Sequence, residues 1–165
     1  MKKLILLCLL AQFFFLQSNA QYRAGIGAYV SCSSKMSSPN FPSKDSLAYE
    51  LTFKVFATEN SCYDFIGGIG HDYFRFTLMK ELHHTIAYPV DWFMGLGAHM
   101  GSWNKNHWSD AAKHNNMFAG LDGTFGLQVT FFPIAFSVGY RPVYDLYGGN
   151  QLSWFKQVGL HICFR

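Results

Sequence analysis

The residue types of a nucleophilic triad occur close together: His107 stands two residues before Ser109, Asp110 follows, and Asp122 lies further on. Acyl-transfer chemistry of that kind needs the imidazole within hydrogen-bond reach of the hydroxyl and a carboxylate orienting it from behind. The stretch around His107 is rich in His, Asn and Ser, so it reads as a polar loop, and no catalytic residue is assigned. His83-His84, and His107 with His114, offer imidazoles to a metal ion. No acidic or cysteine partner stands beside them at ligand spacing, so no metal site is assigned either. Beyond residue 20 the cysteines are Cys32, Cys62 and Cys163, with no Cys-x-x-Cys pair, and their odd number argues against a disulfide scaffold. Phosphate loops, paired-carboxylate sites and metalloprotease helices are absent from the sequence, and no cofactor is expected.

The elements that would position such groups follow from composition and period. Half the chain is hydrophobic and 18% is aromatic, which excludes a disordered polymer. Only 14% is charged, against ~25% in an average soluble domain, so an ordinary water-facing surface is hard to build. The net charge of +3 has no basic run behind it, which excludes nucleic acid as a partner. Residues 1–20 read as an export signal, with Lys2 and Lys3, an apolar run from Leu4 to Leu16, and the small residues Ser18-Asn19-Ala20. That run is shorter than the ~20 residues of a membrane-spanning helix. Removing two of the thirteen basic residues leaves eleven against ten acidic, a net charge of +1 for a single domain over 21–165.

Within that domain the dominant period is two. Leu47, Tyr49, Leu51, Phe53, Val55 and Ala57 alternate with Ala48, Glu50, Thr52, Lys54, Phe56 and Thr58. Residues 117–131 alternate without a break, longer than the ~5–6 residues of a typical globular strand but suited to a tilted transmembrane one. Eight such runs are present, at 22–32, 47–58, 62–70, 73–82, 90–101, 117–131, 134–144 and 154–165. The expected fold is therefore all-β, an eight-stranded antiparallel up-and-down transmembrane β-barrel. Its connections alternate between long polar loops (33–46, 102–116, 145–153, with 71–72 short) and tighter turns at 59–61, 83–89 and 132–133. Short turns on the periplasmic side and longer loops outside are the habit of outer-membrane barrels. Asp122-Gly123 is also a hairpin signal, which the unbroken alternation through it overrides.

Which face meets which medium is decided by size. The apolar rows carry bulk (Trp92, Phe125, Phe131, Phe136, Tyr140, Trp154, Phe164), and the opposite rows carry Gly95, Gly97, Gly120, Gly126, Gly139 and Gly159. Large outside and small inside fits a narrow eight-stranded barrel with a side-chain-filled interior and lipid around it. Tyr22, Trp92, Phe131, Phe132, Tyr144, Trp154 and Phe164 fall near strand ends, where interfacial girdles form. The inward rows then hold Glu50, Lys54, Arg75, Asp122 and Arg141. Unpaired burial is costly, so these five are expected to pair across the lumen and close it, with Asp122 between Arg75 and Arg141.

Three stretches carry a family resemblance: Trp92-Phe93-Met94-Gly95-Leu96-Gly97-Ala98-His99-Met100-Gly101, then residues 120–131 followed by Pro133-Ile134, and Phe136-Ser137-Val138-Gly139-Tyr140-Arg141-Pro142. They resemble strands of small Bacteroidetes-type outer-membrane β-barrel proteins, and the likeness runs over most of 25–165. It implies an eight-stranded barrel in the cell outer membrane, continuous through Asp122-Gly123, with no catalytic residue or cofactor to carry over. One departure is Arg165 after Phe164, where such barrels end on an aromatic residue that the barrel-assembly machinery reads. The expected function is a non-enzymatic integral barrel with extracellular loops in a structural or surface-interaction role, its partners being outer-membrane lipid and, during insertion, that machinery. Alternatives are a barrel enzyme modifying lipid A through the His107 and Ser109 loop, and a secreted lipocalin-like barrel binding an apolar ligand.

Overall fold

The computed structural model describes residues 23–35, 46–70, 73–103, 117–148 and 152–165. The expected export signal, and with it Tyr22, lies outside them. Eight strands follow one another: β1 (Ala24–Lys35), β2 (Ser46–Thr58), β3 (Ser61–Gly70), β4 (Tyr73–Ala87), β5 (Val90–Trp103), β6 (Met117–Phe131), β7 (Ile134–Tyr147) and β8 (Leu152–Phe164). Each pairs antiparallel with the next, and β8 returns to β1 from Ala24↔Phe164 to Lys35↔Ser153, so the sheet closes. Asp122 and Gly123 sit inside β6 and not in a hairpin, because β6 stays laddered to β5 through both residues.

Among the described residues, three connections are two-residue turns, at Glu59-Asn60, Tyr88-Pro89 and Phe132-Pro133. They define one end of the barrel, here the turn end; the other is the loop end. The expected turn at 83–89 is corrected by this geometry. β4 continues through His83 and His84, which pair with Phe93 and Trp92. A polar His-His-Thr run looked like a strand terminus, but a lumen that accepts polar groups lets the alternation continue. Beyond β7, Gly148 takes φ 87°, the left-handed region open to glycine.

The two faces invert those of a soluble protein. Leu51, Leu96, Ile69, Val158 and Met100 are among the most exposed residues, while Glu50, Lys54, Asp64 and Arg141 are almost wholly buried. β3, with 10 residues, matches the ~9–11 needed to cross a bilayer, and the other strands, with 12 to 15, exceed it, so the apolar belt has overhang at its rims. Trp92, Phe131, Phe132 and Phe164 are exposed on the outer surface toward the turn end, while Tyr144 and the half-buried Trp154 sit toward the loop end. Lys80 and Lys156 interrupt the belt; their long stems can carry the ammonium toward a headgroup region.

Inward glycines are where inward rings need room. A Cβ on Gly126 would lie 2.7 Å from Phe93 Cζ, and one on Gly159 would lie 2.4 Å from Tyr29 Cε1. On Gly101 it would lie 2.3 Å from Phe118 Cζ. The small residues of the inner face thus let a few large side chains fill a narrow lumen at ordinary packing density.

Candidate functional site

The lumen is the only place where the described residues gather charge, and parity puts it there. On β2 the even positions face inward, bringing Glu50, Thr52 and Lys54 into one row. On β4 the odd positions do the same for Arg75, Thr77, Met79, Glu81 and His83. β6 contributes Asp122 and β7 contributes Arg141 and Asp145. All five residues singled out from the sequence therefore lie inside the barrel and buried.

Arg141 is the hub toward the loop end. Its Nη1 donates to both carboxylate oxygens of Glu50 (3.2 and 3.0 Å), Nε donates to Asp122 Oδ2 (3.0 Å), and Nη2 donates to Thr77 Oγ1 (2.9 Å). Arg75 Nη2 donates to the same Glu50 at 2.7 Å, and Ser31 adds a hydroxyl donor at 3.0 Å. The planar guanidinium suits this role because its fork holds two carboxylates in fixed directions. His99 extends the network: Nδ1 lies 2.5 Å from Asp122 Oδ1 and Nε2 lies 2.8 Å from Asp145 Oδ1.

The expected placement of Asp122 between two arginines takes the form of a direct bond from Arg141 alone, with Arg75 bonded elsewhere. Asp122 is bonded to Arg141, His99 and Thr77, while Arg75 reaches Glu50. β4 sets Arg75 one inward position nearer the loop end than Thr77, and Thr77 is the β4 residue that meets Asp122.

Lys54 does not join that group. It belongs to a second cluster toward the turn end, with Nζ 2.5 Å from Glu81 Oε2 and 3.6 Å from Asp64 Oδ2. Asp64 also accepts from Thr52 and from the Tyr29 hydroxyl at 3.3 Å. The ammonium lies over the Phe93 ring, 5.3 Å from its centroid. Aromatic rings cap the loop end: Trp103 and Phe118 are 4.7 Å apart, Tyr73 meets both, and Arg75 packs over Phe155.

Asp64, Glu81, His99 and Asp145 were missed from the sequence although the signal was present. Glu81 stands six residues from Arg75 and so shares its face. A second correction concerns His83. Cys62 Sγ lies 3.5 Å from His83 Nε2 and 3.6 Å from Glu81 Oε2, so His83 does have acidic and cysteine neighbours. Glu81 lies on the same strand, two residues before His83 and on the same face, a local spacing the sequence offers; Cys62 comes from the adjacent β3, twenty-one residues back, beyond any local spacing rule. His84 faces outward against Trp92. His107, Ser109, Asp110 and His114 lie outside the described residues, and Asp122 is engaged by Arg141 and His99.

Neither the known family models nor the curated proteins include a match to this chain. Solved structures do match in fold. The N-terminal β-barrel domain of Pseudomonas aeruginosa OprF superposes with a TM-score of 0.65 at 15% identity, over 87% of this chain and all of that one. Neisserial surface protein A gives 0.59 at 13% identity, covering 86% and 96% of the two chains. Ail, the attachment invasion locus protein of Yersinia pestis, solved with the heparin analogue sucrose octasulfate, gives 0.52 at 13% over 86% and 96%. At such identities the likeness is one of fold: a closed eight-stranded antiparallel barrel.

Proposed function

We propose that the chain is a non-enzymatic integral barrel of the cell outer membrane, plugged by its own side chains, with loops in a structural or surface-interaction role. The observation that carries it is the inversion of faces: a predominantly apolar exterior around a lumen crossed by Arg141, Glu50, Arg75 and Asp122. An apolar exterior of this height is stable only against lipid, and a narrow interior closed by ion pairs leaves no water path. The secreted lipocalin-like alternative requires the reverse, an apolar lumen and a wetted exterior.

The names of the neighbours, a surface protein and an attachment protein among them, support a surface role. The motifs at 92–101, 120–131 and 136–142 support a place among small Bacteroidetes-type barrels. Outer-membrane lipid is the partner of the belt, and the barrel-assembly machinery the partner during insertion. Heat-modifiability on gels after outer-membrane extraction tests the reading, since a folded barrel migrates differently before and after boiling. Planar-bilayer recording tests the plug. Steady ion conductance by the wild type would refute closure, and recovery of the chain in the soluble fraction would refute the membrane barrel. A mass shift in lipid A on expression would turn the reading to the enzyme.

A further inference from the structure

We propose that Cys62, Glu81 and His83 form a zinc-binding site inside the barrel near its turn end. Sγ, Oε2 and Nε2 converge from β3 and β4 with separations of 3.5, 3.6 and 3.1 Å, and all three residues are buried. A tetrahedral zinc with Zn–S of about 2.3 Å and Zn–N and Zn–O of about 2.0–2.2 Å sets its ligand atoms about 3.3–3.6 Å apart. The two edges to Cys62 Sγ already have the length of a zinc coordination face, and the His83–Glu81 edge, at 3.1 Å, needs to open by about 0.2–0.3 Å. Sulfur, imidazole and carboxylate together select a borderline-soft divalent ion over magnesium or calcium, which take oxygen ligands.

Charge and access agree. With both carboxylates ionised, Lys54, Asp64 and Glu81 together carry one negative charge; the zinc ion and the Cys62 thiolate add one positive charge between them, so the filled cluster is neutral. Lys54 now occupies Glu81 Oε2. When the metal takes that oxygen, the ammonium keeps Asp64 and gains the other oxygen of Glu81. Binding displaces the thiol proton of Cys62 to solvent, with no change of oxidation state. His83, 7% exposed where Cys62 and Glu81 are 0% and 1%, marks the approach from the turn end, and a tetrahedral ion with three protein ligands would take water as its fourth. Phe93 stacks on the His83 ring at 5.6 Å and Phe56 packs against it, tilted, at 5.3 Å, which restrains the imidazole.

Cobalt(II) reports such a site through thiolate-to-cobalt charge-transfer absorption and the intense visible bands of tetrahedral coordination. The full barrel, purified reduced and metal-free in detergent and checked by heat-modifiability, is titrated with cobalt(II) and then with zinc(II). The expected result is one cobalt per chain with both signals, displaced by zinc. Cys62→Ser removes the charge-transfer band, and His83→Gln weakens binding by more than the ~10–100-fold typical of losing an outer-sphere partner. The Cys8→Ser/Cys32→Ser/Cys163→Ser variant, in which Cys62 is the last thiol, retains the spectrum. Absence of the band in folded wild type at excess cobalt overturns the proposal. So does a band that survives Cys62→Ser or vanishes from the variant keeping only Cys62.

Discussion

Replacing Arg141 by Met is the sharpest test of the lumen network, because this side chain is wholly buried and holds two carboxylates at once. Arg141→Met keeps much of the packing volume and removes the charge. Glu50 would retain Arg75 and Ser31; Asp122 would retain His99 and Thr77. Neither carboxylate is stranded outright, so the loss should not be the sum of two broken pairs. Removing one partner of a buried pair costs ~3–5 kcal/mol, and the surviving donors hold the total to that range. Arg141→Lys keeps the charge but not the fork, so it should fall between Met and wild type. Adding Asp122→Asn to Arg141→Met should recover part of the loss, since deleting both ends of a buried pair leaves less uncompensated charge. Reversible urea unfolding in lipid vesicles, followed by tryptophan fluorescence and gel mobility, measures all three. A loss below ~1 kcal/mol for Arg141→Met would assign these charges the worth of a solvated surface pair and refute the network.

Asp122→Ala should cost ~3–5 kcal/mol in the same assay by unpairing Arg141 Nε and His99 Nδ1 together, with the Arg75–Glu50 bond left in place. Leu127 is 45% exposed on the outer face and Gln128 is 1% exposed beside it. Leu127→Arg should therefore lose ~2–4 kcal/mol, as charges do on a lipid face, and folding into bilayers as stably as wild type would refute the in/out assignment. Gly159→Ala puts a Cβ 2.4 Å from both Ser137 Oγ and Tyr29 Cε1 and should cost ~1–3 kcal/mol of overpacking. The loss should be smaller in a Tyr29→Leu background, as a double-mutant cycle would read. An epitope tag after Asp110, outside the described residues, should leave gel mobility intact and be accessible on whole cells; a tag seen only in lysed cells would invert the topology.

The barrel was legible because its signals are local and its period is two. Parity alone places Glu50 with Lys54, and Arg75 opposite the outward Phe74 and Phe76. Strand ends were less legible where lumen polarity imitates a turn, as at His83-His84. Pairing was least legible. Two inward rows can meet at several heights, and only the stagger between strands decides that Arg75 meets Glu50 while Thr77 meets Asp122. Cys62 and His83 come together for the same reason, through a register in which Cys62 faces Glu81.

That register has a physical cause in the lumen as well as in the ladders. Backbone hydrogen bonds tie each strand only to its two neighbours, and they are almost indifferent to a slip. The side-chain bonds join strands that share no ladder: Tyr29 to Asp64 links β1 with β3, Lys54 to Glu81 links β2 with β4, and His99 to Asp145 links β5 with β7. Arg141 to Glu50 links β7 with β2 across the lumen. A one-residue slip of β7 would turn Arg141 outward, at the ~2–4 kcal/mol a charge costs on a lipid face. A two-residue slip would keep the faces but part the guanidinium from Glu50 and Asp122, at a cost of similar size. Lipid tails are as apolar as the outer side chains they touch, so the belt distinguishes poorly between neighbouring registers. Discrimination therefore falls to the interior, where a charge can be satisfied at one height and not at the next.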